Sequence, residues 1–197
     1  MQKQILALIG AGMVAMAAHA ALEAGDIAPD FSTQASLDGN AFDYSLQQAL
    51  DDGPVVVYFY PSAYTRGCNI QAHEFAENMD KFTAAGASVI GVSLDSIERL
   101  NDFSADPEYC AGKLAVASDP DGSIARSYEL NVRDPREGKL DTRGVPIPHG
   151  YAERVTFIVT ADGAIAATIG GVSPFDNVQK SLEAVQRISD AAASPPR

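Results

Sequence analysis

The run Val55-Val-Val-Tyr-Phe-Tyr60 is bounded by Gly53-Pro54 before it and Pro61 after it. β-branched and aromatic residues with no polar break suit a strand buried on both faces, and hence one in the middle of a sheet with helices on either side. Immediately afterwards the period changes. Ile70, Phe75, Met79 and Phe82 fall at near-helical spacing and Gly86 supplies a stop. One of the two cysteines of the chain, Cys68, stands at this junction in the stretch FYPSAYTRGCNIQAHEF. Any fold for this chain must therefore carry a central strand straight into a helix whose first turn holds a thiol.

The same alternation continues. Ser88 to Leu94 reads as a second buried strand, and Ser96 can cap a helix through about Phe103. Strand, helix, strand, helix implies a parallel core. Leu114 to Ala117, Arg154 to Thr160 and Ala164 to Ile169 complete the sheet. The last two are joined by Ala161-Asp162-Gly163 as a tight hairpin, which makes an antiparallel edge. Near the start, Asp38-Gly39-Asn40 marks a turn between short extended pieces around Phe31 and Phe42. Ser173-Pro174-Phe175-Asp176 opens a final helix with a cap, a proline in the first turn and an acid. That helix is expected to reach about Asp190 and leave the tail AAASPPR frayed. The class expected is α/β, a mixed central sheet flanked by helices. Asn131 to Gly150 is the long irregular stretch, charged and rich in Pro and Gly, and its length leaves a share in substrate or reductant access open.

Met1-Gln-Lys-Gln, the apolar run Ile5 to Ala18 and the small-x-small triplet Ala18-His19-Ala20 read as a secretory signal peptide. The apolar run of about 14 residues is shorter than the roughly 20 of a membrane span. Residues 1–20 are thus expected to be removed near Ala20, leaving 21–197 as one exported, periplasmic domain with no membrane anchor. Aspartate and glutamate total 26 against 14 lysines and arginines, a formal net charge of −12, which disfavours nucleic acid as a ligand. Two cysteines in an exported chain are free to pair, although a domain of this size needs no disulfide to fold.

A thiol in a first helical turn lies where free amides and the helix dipole favour an anion. An ordinary cysteine with a pKa near 8.5 is only about 3% thiolate at pH 7, and making the thiolate the majority form takes ~3.4 kcal/mol. A helix terminus supplies roughly 0.3 to 1 kcal/mol, so a cation must help. Arg66 is adjacent in sequence, and Arg154 begins the run RVTFIV, which could lie beside Val55 to Tyr60. Spacing alone does not choose between them.

Pro61-Ser-Ala-Tyr-Thr65-Arg-Gly-Cys68 fits P-x-x-x-T-x-x-C and resembles the signature of the peroxiredoxins. GDIAPDF, VIGVSLDS, ASDPDGSIARSY and RVTFIVTADGAI extend the likeness over nearly the whole chain after residue 20, and it is nearest the bacterioferritin-comigratory or Q-type branch. The resemblance implies a thioredoxin-like fold and a thiol-dependent peroxidase. In it Cys68 attacks hydrogen peroxide or an organic hydroperoxide and becomes a sulfenic acid, Thr65 and Arg154 hold the peroxide oxygens, and Pro61 shields the thiolate. It implies no cofactor and no metal, a thioredoxin-like protein or small thiol as reductant, and a monomer or homodimer.

This chain departs from the branch in two places. His73 stands five residues after Cys68, where a second cysteine is common, and Arg66 stands where proline is common before Gly-Cys. Cys110, in DPEYCAGK, is then the remaining intramolecular candidate for a resolving thiol. An unreactive thiol beside an external reductant and a permanent bridge to Cys68 are the alternatives. His73 reads as a packing or surface residue and His149 as loop structure, while Arg133, Arg136, Lys139 and Arg143 read as a solvated mixed-charge loop. A thioredoxin-fold redox-sensing or copper-handling binding protein is the alternative function. Disulfide exchange is disfavoured because Cys68-Asn69-Ile70-Gln71 lacks a second cysteine.

Overall fold

A computed structural model describes residues 21–193. The expected leader, residues 1–20, and the last four residues lie outside them. No helix of the described residues is long and apolar enough to cross a membrane.

The central strand, β3 (Val55–Phe59), is buried along its whole length. Its side chains alternate between two cores. Val56, Tyr58 and Tyr60 enter one apolar cluster and Val55, Val57 and Phe59 the other. A strand serving two cores must be apolar at every position, which is why its sequence shows a run and not an alternation.

Around β3 the sheet grows in both directions. β4 (Ser88–Ser93) pairs with it in parallel, and β5 (Ala115–Ser118) pairs with β4 in parallel. On the other side β8 (Val155–Val159) runs antiparallel to β3, and β9 (Ile165–Gly170) antiparallel to β8. The N-terminal hairpin β1 (Ser32–Leu37) and β2 (Asn40–Ser45) docks antiparallel on β5. The order β2-β1-β5-β4-β3-β8-β9 thus has a parallel centre and two antiparallel edges, one more than the sequence reading placed.

One face is covered by α2 (Arg66–Ala84), α3 (Ile97–Ala105) and α5 (Pro174–Ala193), whose residues Phe75, Phe103 and Val185 are fully buried in the first cluster. The opposite face carries α1 (Leu46–Asp51) and α4 (Ser123–Ser127). This mixed sheet flanked by helices is the thioredoxin-like arrangement expected.

Three details differ from the sequence reading. α5 continues through Ala193, because the alanines after Asp190 are good helix formers and nothing stops the helix there. α1 and α4 were not anticipated, since five or six residues are too few for a period to show. Ser45 caps α1 by accepting from the Gln48 amide, and Asp119 accepts from the Ile124 and Ala125 amides of α4. The stretch Asn131 to Gly150 is also not irregular throughout. β6 (Val132–Arg133) pairs with β7 (Tyr151–Ala152), and Asp141 is buried inside the loop between them.

Candidate active site

Phe59 ends β3, and Pro61 to Tyr64 turn the chain into α2. Thr65 is the N-cap residue, with extended backbone, yet its hydroxyl does not cap the helix. It donates instead to the Ser62 carbonyl at 2.9 Å. The first turn of α2 also contains no acid. The positive end of a 19-residue helix is therefore left without a side-chain anion or cap, and Cys68 occupies its third position.

Cys68 is 2% exposed. Arg154, immediately before β8, puts Nη2 3.2 Å from its Sγ. The register explains the meeting of residues so far apart in sequence. Phe59 at the end of β3 faces Val155 at the start of β8, so the residue preceding β8 leaves the sheet at the edge where α2 begins. Arg66 is exposed and forms no ion pair among the described residues. Of the two arginines, Arg154 is the one in contact with Cys68.

Gly67 makes the approach possible. A Cβ there would lie 3.2 Å from Arg154 Nη2, tighter than ordinary contact, and 3.5 Å from the Pro174 side chain, an ordinary one. The Arg154 guanidinium is aimed from its other end by Gln71, whose Oε1 accepts from Nη1. Gln71 Nε2 in turn donates to Asn177 Oδ1 at 2.8 Å, and the Thr156 hydroxyl donates to the same oxygen at 2.7 Å. Gln71 and Asn177 are both fully buried, and neither was singled out in the sequence. The signal available for Gln71 was a polar residue three positions after Cys68, on the same helix face in an otherwise apolar seam.

The turn before the helix is held from below by Asp95. Its carboxylate accepts from the Ser62 hydroxyl at 2.9 Å, the Ala63 amide at 2.7 Å, the Ser93 hydroxyl at 2.7 Å and His149 Nε2 at 2.8 Å. Arg99 Nε adds an ion-pair contact at 2.8 Å, off the hydrogen-bond direction, while its Nη2 reaches Asp141 at 2.8 Å. Tyr64, between Ala63 and Thr65, takes φ of 59°, a left-handed conformation that a non-glycine residue holds only under constraint. That constraint is visible. Thr142 donates to the Tyr64 carbonyl through both its amide and its hydroxyl, and the Arg143 guanidinium sits 3.2 Å from the centre of the Tyr64 ring. His149, read as loop structure, is thus a tether between the long loop and the base of the site.

Burial by itself would raise the Asp95 carboxyl, but His149, Ala63 and Ser93 as donors outweigh it and hold it below the ordinary value. Burial likewise works against the charged His149 ring, and the Asp95 carboxylate outweighs that and raises its pKa. The raised histidine contributes stability that is complete below its unfolded value of about 6.5 and is lost as pH rises through the folded value; the depressed Asp95 contributes above about 3.9 and is lost as pH falls. Between those limits His149→Gln is expected to cost about 1 to 2 kcal/mol in urea denaturation. The loss should shrink above pH 7. A cost that grows with pH would contradict this tether.

Cys110 lies in the turn after α3, fully buried, and is unbonded, as is Cys68. Burial pushes its thiol well above the usual cysteine range, and Asp106 adds to the effect. Both cysteines belong to the same apolar cluster. Tyr58, whose buried hydroxyl has no partner, senses both: burial raises its pKa most, then Cys110 and Cys68, while Arg154 lowers it. His73 is exposed and its Nδ1 lies 3.1 Å from the Glu108 carbonyl, so it fastens the Cys110 turn to α2. Among the described residues no three His, Cys, Asp or Glu side chains converge as a metal site.

A cavity of about 290 Å³ is lined by Pro61, Thr65 and Arg154, the last in contact with Cys68, and by residues of β6, β7 and the loop between them. The site thus sets a thiol in the first turn of a helix against a guanidinium, with a cavity on the other side of that guanidinium.

Comparison with known proteins agrees with this arrangement. The AhpC/TSA family model matches residues 24–168. Peroxiredoxin Bcp of Escherichia coli strain K12 is 35% identical over 147 residues, 73% of this chain and 83% of that protein. Peroxidoxin BcpB of Mycobacterium tuberculosis has a TM-score of 0.68 at 26% identity, over 85% of this chain and 98% of its own. Peroxiredoxin Q of Xanthomonas campestris gives 0.63 at 25% identity, over 79% and 90%.

Proposed function

The chain belongs to the AhpC/TSA family, the peroxiredoxins, and is a thiol-dependent peroxidase; from that premise we propose how its own residues carry the reaction. Cys68 as thiolate attacks the nearer oxygen of ROOH. The S–O bond forms as the O–O bond breaks, and the electron pair leaves on the distal oxygen, which takes a proton to become ROH. Cys68 is left as a sulfenic acid, two electrons more oxidised. Arg154 stabilises the thiolate before the step and the charge spread over the peroxide oxygens during it. The Thr65 O–H is spent on Ser62, so toward the peroxide it offers lone pairs, which accept a hydrogen bond from the hydroperoxide O–H and orient it, the hydrogen staying on the oxygen that passes to sulfur. Pro61 walls the thiolate from bulk water. The observation that carries this reading is the 3.2 Å contact of Arg154 with Cys68 at the uncapped start of α2.

Peroxiredoxins take their electrons from thioredoxin-type reductants. Before that step Cys110 resolves the intermediate: its thiol attacks the Cys68 sulfenic sulfur, a disulfide forms and water leaves. In the folded state Cys110 is a poor nucleophile, buried and held protonated. The turn from Asp106 to Gly112 must therefore open and release the His73 contact before the bond can form. With one equivalent of peroxide, a non-reduced digest of the monomeric protein is expected to contain a linked Cys68–Cys110 peptide pair. His73→Ala should speed its appearance by several-fold. Stable sulfenic acid with Cys110 still alkylatable would remove Cys110 from the cycle and leave an external thiol to resolve Cys68.

Export is the remaining part of the proposal and rests on the leader pattern of residues 1–20. The mature protein is expected outside the cytoplasm with an N-terminus near Ala21. Recovery of the intact chain there, or of all the protein in the cytoplasm, speaks against it.

A further inference from the structure

Asn177 is the fourth residue of α5 and is fully buried, beside Val178, Ser181, Leu182 and Val185 of the same helix. Asparagine is a poor helix former, and its amide is costly to bury unless it finds partners. An apolar residue would suit both the helix and the core at this position. The amide is nonetheless used at both ends. Nδ2 donates to the Ile169 carbonyl at 3.0 Å, while Oδ1 accepts from Gln71 Nε2 at 2.8 Å and from the Thr156 hydroxyl at 2.7 Å. The backbone of Asn177 is held separately: its amide donates to the Ser173 carbonyl at 2.9 Å and its carbonyl accepts from the Ser181 hydroxyl at 2.7 Å. The side chain therefore projects from a fixed base.

These contacts have a direction. The Ile169 carbonyl can only accept, so the end of the Asn177 amide that meets it has to be nitrogen. The Arg154 guanidinium can only donate, so the end of the Gln71 amide that meets it has to be oxygen. Two amides in series satisfy both ends in one arrangement: Asn177 Nδ2 toward the sheet, Asn177 Oδ1 toward Gln71 Nε2, and Gln71 Oε1 toward Arg154 Nη1. Turning either amide over sets like atoms against each other at both of its ends. The anchor of this series is the sheet itself, since Thr156 and Ile169 are register partners on β8 and β9. Thr156 follows Arg154 by two residues, so the strand that delivers the arginine also holds the far end of the series that aims it.

We propose that Asn177 is a positioning residue for the peroxide step: it holds Gln71 with its oxygen toward Arg154, and so holds the second guanidinium nitrogen, Nη2, against Cys68. The inference rests on the peroxidase reading and adds to it a residue of α5 that acts only through Gln71. With an apolar side chain at position 177, Gln71 Nε2 loses its acceptor and the amide is free to turn. The turned amide meets Arg154 with a donor against a donor. Arg154 then keeps its charge near the thiol but loses the direction in which it is aimed, and a reacting group displaced by a fraction of an ångström loses rate.

The test times the oxidation of Cys68 by hydrogen peroxide in pre-reduced protein with no reductant present. Asn177→Leu has nearly the same volume without the acceptor and is expected to react about tenfold more slowly, the weight of one buried hydrogen bond. Asn177→Asp keeps an oxygen toward Gln71 and Thr156 but sets its other oxygen against the Ile169 carbonyl. It should therefore lose stability in urea and still recover the rate to within about threefold of the unmodified protein. A merely structural role would instead make the rate follow the urea midpoint in both variants. Gln71→Leu is expected to be slow by itself, and adding Asn177→Leu to it should change the rate by less than about twofold, because the series is already cut. If circular dichroism shows Asn177→Leu unfolded, Asn177→Met takes its place with the same expectations. A leucine variant as fast as the unmodified protein, an aspartate variant as slow as the leucine one, or effects at Gln71 and Asn177 that multiply each overturn the inference and leave the peroxidase reading intact. Failure of the unmodified protein to oxidise Cys68 removes that reading and the inference with it.

Discussion

Cys68→Ser protein is expected to consume peroxide at a rate lower by a factor on the order of 10³ or more, with its fold retained. Serine keeps the volume of the site and offers an oxygen to Arg154 where the sulfur stood at 3.2 Å. Its hydroxyl is not ionised at neutral pH, however, and it cannot accept an oxygen atom from a peroxide. The circular dichroism spectrum and urea midpoint should shift little, because the residue contributes only a small apolar surface at the start of α2. More than a few per cent of residual activity in clean protein, under any thiol reductant, would mean that the nucleophile lies elsewhere.

Arg154→Met should slow oxidation of Cys68 by about 10² to 10³, the usual cost of removing one donor aimed at developing charge. The flexible methionine fills much of the same space, and the loss is then electrostatic and directional. It also leaves the buried Gln71 Oε1 without its donor, which adds a stability cost of about 1 to 3 kcal/mol. Arg154→Lys separates the two effects: it restores a positive charge but not the fork that reaches Gln71 and Cys68 together. Its rate should fall between those of the other two proteins. Single-turnover oxidation of reduced protein at several peroxide concentrations measures all three. If Arg66→Met is the slower protein, the wrong arginine has been placed at the site.

Much of this architecture was written in local patterns. The apolar run Val55–Phe59, the period of α2, the Ser96 cap and the Asp162-Gly163 turn each act within a few residues, so each could be read without knowing the rest. The same holds for Cys68. Its place in the first turn of α2 follows from where one strand ends and one helix begins. The expectation of a frayed end after Asp190 failed for the opposite reason: no local stop signal stands there, and the helix runs on to Ala193.

The sequence by itself determined the order of the elements, the buried centre of the sheet and the position of the thiol at a helix terminus, because hydrophobic period and capping are short-range effects. Only the tertiary structure decided what surrounds that thiol. Arg154 is 86 positions from Cys68 and meets it because β8 pairs antiparallel with β3 in one register. Gln71 and Asn177 join across 106 positions, and Asp95 and His149 across 54. No period encodes such pairs. They are fixed by burial, which makes an unpaired polar group costly and leaves each one only the partners the packed fold brings within reach. The β6–β7 loop follows the same rule: buried Asp141 within it is held by Arg99 from α3 as well as by Arg143 and Val145 of the loop, and the pairing of β6 with β7 closes its base, constraints that no single stretch of the sequence contains.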